Sequence, residues 1–247
     1  MPRLRVFSGP NGSGKSTLFT EFSKHYKTGV YFNADEIEVR LVKDANIELS
    51  DFGIQASQSE LDSFLLNDFS ISLIKKCKAE GLTINLEIKN NNLYSKSATP
   101  NSYESSLISA FLRSIIVRDR LDYSFETVMS HHSKIEEIKM AKALGYKAYL
   151  YYICLDDPEV NISRVENRVD KGGHAVLREK ILQRYYKSLD NLILAIDASD
   201  KTYLFDNSMD KQLLLLGKVE DGELEILVDP KMLPNWFYKY VLTYFEL

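Results

Sequence analysis

A glycine-rich run near the start of the chain contains the residue types that bind a phosphate. Glycines let backbone N–H groups converge on an anion, a lysine beside them reaches the β- and γ-phosphates, and the hydroxyl after it takes one Mg²⁺ position. The run therefore predicts a site for ATP or GTP with Mg²⁺, in which Lys15 contacts the phosphates and Ser16 the metal. It fits the pattern G-x-x-x-x-G-K-[ST] and reads Gly9, Pro10, Asn11, Gly12, Ser13, Gly14, Lys15, Ser16, Thr17.

Acidic residues after two apolar segments could act on the acceptor of a phosphate. Asp35 follows the apolar segment 30–32 and opens a helical pattern, so it could be a general base, an N-cap, or both. Glu126 and Thr127 end a later apolar segment, and we expect them to contact the acceptor, with Glu126 also able to hold a Mg²⁺-bound water. Asp157 follows a third apolar run, but the proline after it favours a helix cap over a metal ligand.

Arginines on two predicted helices could neutralise the transferred phosphate. Arg164 and Arg168 are four residues apart on one helix face, and Arg184 follows a Gly-Gly break. Two helices that carry arginines and are joined by a glycine hinge are typical of a lid, here about 164–190, that closes over a triphosphate and excludes water. His174, in the break, could contact a phosphate or cap the turn, and the sequence leaves both readings open.

These residues require a scaffold of strands and helices. Apolar strand patterns alternate with helical patterns through most of the chain, which predicts an α/β fold of the P-loop NTPase type with a mainly parallel sheet flanked by helices and a helical lid. We expect one kinase domain over 1–208, with a polar excursion or small hairpin at about 82–101. A C-terminal β-hairpin and an aromatic helix over 209–247 are predicted to pack on the same domain.

Several helix boundaries can also be predicted. Apolar periodicity predicts single long helices over 57–80 and 177–198. Ser102 is a candidate N-cap, and Ser133 with Glu136 has the spacing of a capping box. Ser102 and the neighbouring Tyr103 are also candidates for substrate contact.

Composition limits the function further. The 247 residues carry a net charge of −4, which argues against a dedicated nucleic-acid binder. Cys77 and Cys154 lie in apolar segments, too far apart for a metal or disulfide framework, and are predicted to be buried free thiols. No apolar run reaches membrane-spanning length and the first residues leave no room for a signal peptide, so we expect a cytoplasmic protein without a membrane partner.

Taken together, these motifs resemble the zeta-toxin-like kinases from about residue 3 to residue 208. The resemblance implies that Asp35 activates an acceptor hydroxyl and that the lid arginines bind the γ-phosphate. Characterised zeta toxins phosphorylate UDP-N-acetylglucosamine and are neutralised by a small helical antitoxin, so a small-molecule acceptor and an antitoxin partner are implied. The residues that carry the resemblance are the run 9–17, Asn33–Ile37, Phe125–Ser130, Arg164, Arg168, Gly172–Val176 and Arg184 with Tyr185.

Departures from that family leave the acceptor open. The polar excursion and the aromatic C-terminal segment are absent from the compact toxins, and Leu177 stands where many relatives have proline. The leading hypothesis is an ATP-dependent phosphotransferase that acts on a nucleotide sugar or a related nucleotide. Two alternatives are a regulatory NTPase in which water is the acceptor, and a polynucleotide 5′-hydroxyl kinase.

Overall fold

The structure, a computed structural model, describes residues 1–97, 99–170, 176–209 and 212–246. The strands in chain order are β1 (Arg3–Ser8), β2 (Val30–Phe32), β3 (Asn46–Glu48), β4 (Leu86–Lys89), β5 (Asn92–Ser95), β6 (Tyr123–Thr127), β7 (Lys147–Cys154), β8 (Lys201–Asp206), β9 (Leu214–Glu220) and β10 (Glu223–Ile226). The α-helices are α1 (Lys15–His25), α2 (Ala34–Asp44), α3 (Gln58–Leu65), α4 (Asp68–Ala79), α5 (Ser102–Arg118), α6 (Ser133–Ala143), α7 (Pro158–Val169), α8 (Arg178–Asp190), α9 (Leu192–Ala198), α10 (Asn235–Phe237) and α11 (Thr243–Phe245). None of the helices in these ranges is long and apolar enough to cross a bilayer.

The chain forms two compact units. Unit 1 combines Met1–Thr28 with Ser124–Leu247, and unit 2 is the segment Gly29–Tyr123 between them. The glycine-rich run and the arginines of the predicted lid belong to unit 1, whereas Asp35, Ser102 and Tyr103 belong to unit 2.

The sheet of unit 1 is parallel at its centre and antiparallel at one edge. Its strands follow the order β10-β9-β8-β7-β1-β6. The central strand β7 pairs in parallel with β1, where Val6 is opposite Leu150, and with β8, where Tyr152 is opposite Leu204. Both faces of β7 are apolar and most of its side chains are buried, which is the pattern expected of a strand covered on both sides. The C-terminal hairpin β9–β10 adds the antiparallel edge.

An aromatic cluster fixes helix α1 against the sheet. Phe7 of β1 lies edge-on to Phe19 and Phe22 of α1, with ring centroids 5.3 and 5.6 Å apart. Phe7 also stacks on Tyr151 of β7 at 4.9 Å. These contacts hold both ends of the β1–α1 loop, which is the glycine-rich run, on rigid elements.

Unit 2 contains a small antiparallel sheet and a long buried helix. The predicted excursion at 82–101 contains the hairpin β4–β5, and β3 pairs with its second strand. Helix α5 buries ten of its residues, among them the charged side chain of Glu104. Glu104 accepts hydrogen bonds from Ser95 Oγ at 3.0 Å, Ser97 Oγ at 2.6 Å and Asn85 N at 3.2 Å, so one carboxylate joins the helix to both sides of the hairpin.

Both long helices predicted from periodicity are divided in the structure. The pattern over 57–80 forms α3 and α4, because the Asn67 side chain accepts from Ser70 N at 2.8 Å and begins a new helix. The pattern over 177–198 forms α8 and α9, which meet at Asn191. Apolar spacing continues through both junctions, and for that reason periodicity alone did not detect them.

The N-caps also differ from several predictions. Asn101, rather than Ser102, caps α5 by accepting from the N–H groups of the first turn. The capping box predicted at Ser133 is absent, because the N-cap position belongs to His132. Helix α2 is capped by Asn33, whose side chain accepts from Asp35 N at 3.0 Å, so Asp35 does not serve as the N-cap.

Candidate phosphate-binding site

The β1–α1 loop contains three glycines at positions that leave no space for a side chain. Gly9, Gly12 and Gly14 have φ values of 141°, 74° and 104°, which other residues rarely adopt. A Cβ on Gly12 would lie 2.6 Å from the Asn161 carbonyl oxygen, and one on Gly9 would lie 1.9 Å from that of Ile153. The loop is therefore held closely between β7 and α7, with no space for side chains at these positions.

Lys15 folds back over this loop. Its ammonium group donates to the carbonyl oxygens of Gly9 at 2.9 Å and Pro10 at 2.8 Å. Lys15 is also the first residue of α1, whose first turn carries no acidic side chain. The positive end of the helix dipole and the ammonium group therefore lie in the same loop, an arrangement that favours a polyanion.

A buried hydroxyl in the loop is available to a ligand. Ser13 is fully buried, and its Oγ has no hydrogen-bond partner within the part of the chain that the structure describes. A buried hydroxyl without a partner costs free energy, because the water that it bonds in the unfolded chain is lost. A phosphate oxygen would accept a hydrogen bond from this hydroxyl, so the residues present fit a bound phosphate.

Ser16 and Glu126 form a pair of oxygen ligands beside the loop. Ser16 Oγ donates to Glu126 Oε2 at 2.9 Å. Mg²⁺ takes hard oxygen ligands of this kind and completes its shell with phosphate oxygens and water. In the described ranges no group of three or more histidine, cysteine or acidic side chains could hold a metal ion, so a cation here would depend on such additional ligands.

Thr127, next to Glu126, contributes to the architecture of the site. Its carbonyl oxygen accepts from Gly9 N at 3.3 Å, which attaches the end of β6 to the start of the loop. Its hydroxyl accepts from Met129 N at 3.2 Å, and Met129 itself has a positive φ of 59°. The side chain thus stabilises a tight turn, and the predicted contact between Thr127 and an acceptor stays a prediction.

The predicted lid arginines lie on α7 and α8. Arg164 is half-buried on α7, and its Nη2 donates to the carbonyl oxygen of Asn207 at 3.0 Å. Arg168 is one turn later on the same helix, and Arg184 is a half-buried residue of α8. His174 lies outside the described residues, as does the Gly-Gly pair before it.

Helix α7 starts as predicted, with Asp157 as its N-cap and Pro158 in the first turn. The side chain of Asp157 accepts from Glu159 N at 2.8 Å. This confirms the interpretation of Asp157 as a helix cap.

Two asparagines near the loop were missed by the sequence analysis. Asn161 Nδ2 donates to Asn11 O at 2.6 Å, and Asn207 Nδ2 donates to Ser13 O at 2.8 Å. Asn207 is the first residue after β8, at the strand end where ligands of α/β sheets bind. That position is the one signal in the sequence that could have singled it out.

Three candidate residues belong to unit 2. Asp35 is exposed in the first turn of α2. Ser102 is the exposed first residue of α5, and the Tyr103 hydroxyl beside it donates to Glu80 Oε1 at 2.6 Å. Asp35 and Ser102 thus offer side chains to solvent, whereas Tyr103 is already engaged within its own unit.

Comparison with known sequences gives limited information. No protein-family model matches the chain. An uncharacterized protein of Haemophilus influenzae is 30% identical over 69 residues, which are 28% of this chain and 49% of that protein. The chain spans about half the length of that relative.

Comparison with solved structures identifies the fold. The chain matches the AvrRxo1-ORF1:AvrRxo1-ORF2 crystal structure with sulphate ions at a TM-score of 0.57 and 16% identity, over 92% of this chain and 61% of that one. The structure of the same pair with ATP matches at 0.52 and 16%, over 92% and 60%. A chain of the PezAT toxin-antitoxin system of Streptococcus pneumoniae matches at 0.47 and 11%, over 87% and 70%.

The AvrRxo1 matches are only 16% identical to this chain, and they therefore show a common fold and nothing beyond it. This chain covers about three fifths of the length of those proteins. The predicted α/β architecture with a mainly parallel sheet is confirmed, and the likeness to the AvrRxo1 structures is a likeness of fold.

Proposed function

We propose that this protein is an ATP-dependent phosphotransferase that moves the γ-phosphate to a hydroxyl group of a small molecule, a nucleotide sugar or a related nucleotide. The observation that carries the proposal is the β1–α1 loop, with its three constrained glycines, the buried Ser13 hydroxyl and the Lys15 ammonium group. A protein of the same fold has been crystallised with ATP, which supports the choice of nucleotide.

The proposed roles follow from charge and hydrogen-bonding capacity. Lys15 neutralises charge on the β- and γ-phosphates, and Arg164, Arg168 and Arg184 stabilise the charge that develops as the phosphoryl group moves. Ser16 and Glu126 would hold Mg²⁺, which when bound supplies charge neutralisation on the phosphate oxygens.

The acceptor side of the reaction is assigned from the sequence. Asp35 is proposed as the general base that takes the proton from the acceptor hydroxyl, whose oxygen then forms the bond to phosphorus while ADP leaves. Thr127, Ser102, Tyr103 and His174 are kept as candidate acceptor contacts. A small antitoxin-like protein that covers the site is part of the same proposal, and the crystallised AvrRxo1 pair is consistent with such a partner.

The direct test is mass spectrometry of the purified protein incubated with Mg²⁺·ATP and a panel of nucleotide sugars, dinucleotides and oligonucleotides. We expect a small molecule heavier by one phosphate, together with ADP. ADP without any phosphorylated partner would instead support the NTPase alternative. A phosphorylated oligonucleotide would support the polynucleotide kinase.

Asp35→Ala tests the assignment of the base. We expect turnover to fall by at least about 10²-fold, because a general base contributes roughly that factor, while ATP affinity measured by calorimetry stays the same. Glu36→Ala, which alters the neighbouring acid in the same helical turn, is the matched control and should retain activity. Turnover of Asp35→Ala at the wild-type rate would contradict the assignment.

A further inference from the structure

The C-terminal segment of the chain is attached to the end of the sheet by polar contacts as well as by packing. Trp236 and Phe237 of α10 are 2% and 0% exposed, and the Trp236 ring lies 6.1 Å from that of Tyr152 on β7. The indole Nε1 donates to Asp206 Oδ1 at 2.9 Å, and Asp206 is the last residue of β8. We call residues 235–246 the C-terminal cap.

A second carboxylate, that of Asp156, also binds the C-terminal cap. Asp156, just after β7, accepts from Trp236 N at 3.0 Å and from Asn235 Nδ2 at 2.7 Å. Ser208 joins the two acids, since its Oγ donates to Asp206 at 2.9 Å and accepts from Asp156 N at 2.8 Å. The first residues of the cap thus contact both Asp156, after β7, and Asp206, at the end of β8. These contacts together restrain the turn that follows β8.

That turn contains Asn207, which contacts the phosphate-binding loop. Its side-chain amide donates to Ser13 O, and its carbonyl oxygen accepts from Arg164. A Cβ on Gly14 would lie 2.5 Å from Asn207 Nδ2, so the amide lies directly against the loop. A displacement of Asn207 would move both the loop and a lid arginine.

We propose that the C-terminal cap positions the phosphate-binding loop, with Trp236 and Asp206 acting as positioning residues through Asn207. The inference rests on the proposed nucleotide site, and it assigns a purpose to a segment that lies outside the sequence resemblance to the kinases. The physical reason is that Asp206 is only 6% exposed and accepts three hydrogen bonds, which restrict its backbone. The next residue, Asn207, donates a hydrogen bond to the loop.

Trp236→Phe tests the proposal because it keeps an aromatic ring in the pocket and removes the donor to Asp206. We expect the dissociation constant for Mg²⁺·ADP, measured by calorimetry, to rise about fivefold, within the usual range of coupling between separate sites. Tyr238→Phe is the matched control, since it removes a hydroxyl of the cap that donates to Pro230 O, away from the turn after β8, and should leave the affinity unchanged. Equal ADP affinities in wild type and Trp236→Phe would overturn the proposal.

A double-mutant cycle separates positioning from simple destabilisation. If Trp236 acts through Asn207, Trp236→Phe combined with Asn207→Ala should bind ADP no more weakly than Asn207→Ala alone. Fully additive losses would overturn the route through Asn207. A wild-type protein that does not bind ADP at all would instead refute the proposed nucleotide site, so the two failures are distinguishable.

A measurement on the unaltered cap covers the case in which Trp236→Phe does not fold. Trp236 is the only tryptophan of the chain, so its fluorescence reports on the cap. Coupling is reciprocal, and we therefore expect saturating ADP to change the emission of the wild-type protein and to change it much less in Asn207→Ala. An emission that ADP leaves unaltered in the wild type, or alters equally in both proteins, would overturn the proposal.

Discussion

Two fully buried polar side chains, one in each unit, differ in their hydrogen bonding. In unit 2 the fully buried Glu104 carboxylate accepts three hydrogen bonds, from Ser95, Ser97 and the backbone of Asn85. In unit 1 the fully buried Ser13 hydroxyl has no partner among the described residues. A buried carboxylate that accepts three hydrogen bonds stabilises the fold, whereas the Ser13 hydroxyl, which lies in the glycine-rich loop, still has a hydrogen bond to donate. The difference is what would be expected if Glu104 belongs to a structural network and Ser13 to the proposed phosphate site.

Glycines show the same contrast. Gly12 in unit 1 and Gly53 in unit 2 have nearly equal φ values, 74° and 68°. A Cβ on Gly12 would meet the Asn161 carbonyl, whereas a Cβ on Gly53 would meet nothing within 4 Å. The backbone strain of a substitution is therefore alike at the two sites, and only the surroundings differ.

The largest expected effect comes from Gly12→Ala compared with Gly53→Ala. Gly53→Ala should lower the free energy of unfolding by about 1–2 kcal/mol, the cost of a left-handed conformation for a residue with a Cβ, and Gly12→Ala by more, because its Cβ also meets the Asn161 carbonyl. Gly12→Ala must also move the loop away from α7, so we expect ATP affinity to fall about 10²-fold. Chemical denaturation and calorimetry measure the two quantities. Normal ATP binding by Gly12→Ala would show that the loop does not need its close approach to Asn161.

A smaller effect is expected from Glu104→Gln compared with Ser13→Ala. The first should change mainly stability, and the second mainly the affinity for ATP. Glu104→Gln keeps the volume but loses charge-assisted hydrogen bonds, so the free energy of unfolding should fall by about 2–3 kcal/mol. Ser13→Ala removes a hydroxyl that has no partner, so stability should be unchanged or slightly higher, while affinity for ATP falls about tenfold. A loss of stability in Ser13→Ala would mean that its hydroxyl is already satisfied by water.

The smallest effect concerns the two free thiols, one in each unit. Burial raises the pKa of Cys154 in β7, and burial together with the charges of Glu104 and Glu80 raises the pKa of Cys77 in α4. A raised thiol pKa stabilises the folded state at pH values below the unfolded pKa, near 8.5, and this contribution is lost as pH rises above it.

Both thiols should therefore react slowly with a disulfide reagent at pH 8, and each should react by local opening. We expect Cys154, in the central strand, to react more slowly than Cys77, because central strands open with the largest free energies. Cys77→Ser and Cys154→Ser assign the two phases. Faster reaction of Cys154 would show that unit 1 opens more readily than unit 2.

Local chemistry made much of unit 1 predictable. The loop between β1 and α1 was predicted from its glycines and lysine, because few backbone conformations can surround an anion and those require glycine. The start of α7 was predicted from Asp157 followed by proline. In each case the signal lies within a few consecutive residues.

The chain's amino-acid sequence by itself determined the glycine-rich loop between β1 and α1, the alternation of strands and helices, and the burial of both cysteines. Only the tertiary structure decided which asparagine touches the loop, where the long helical patterns divide, and that the Glu104 carboxylate joins a helix to a hairpin. The reason is distance along the chain. Asn207 and Ser13 are 194 residues apart, and no local pattern records which of many polar side chains will meet a given carbonyl after folding.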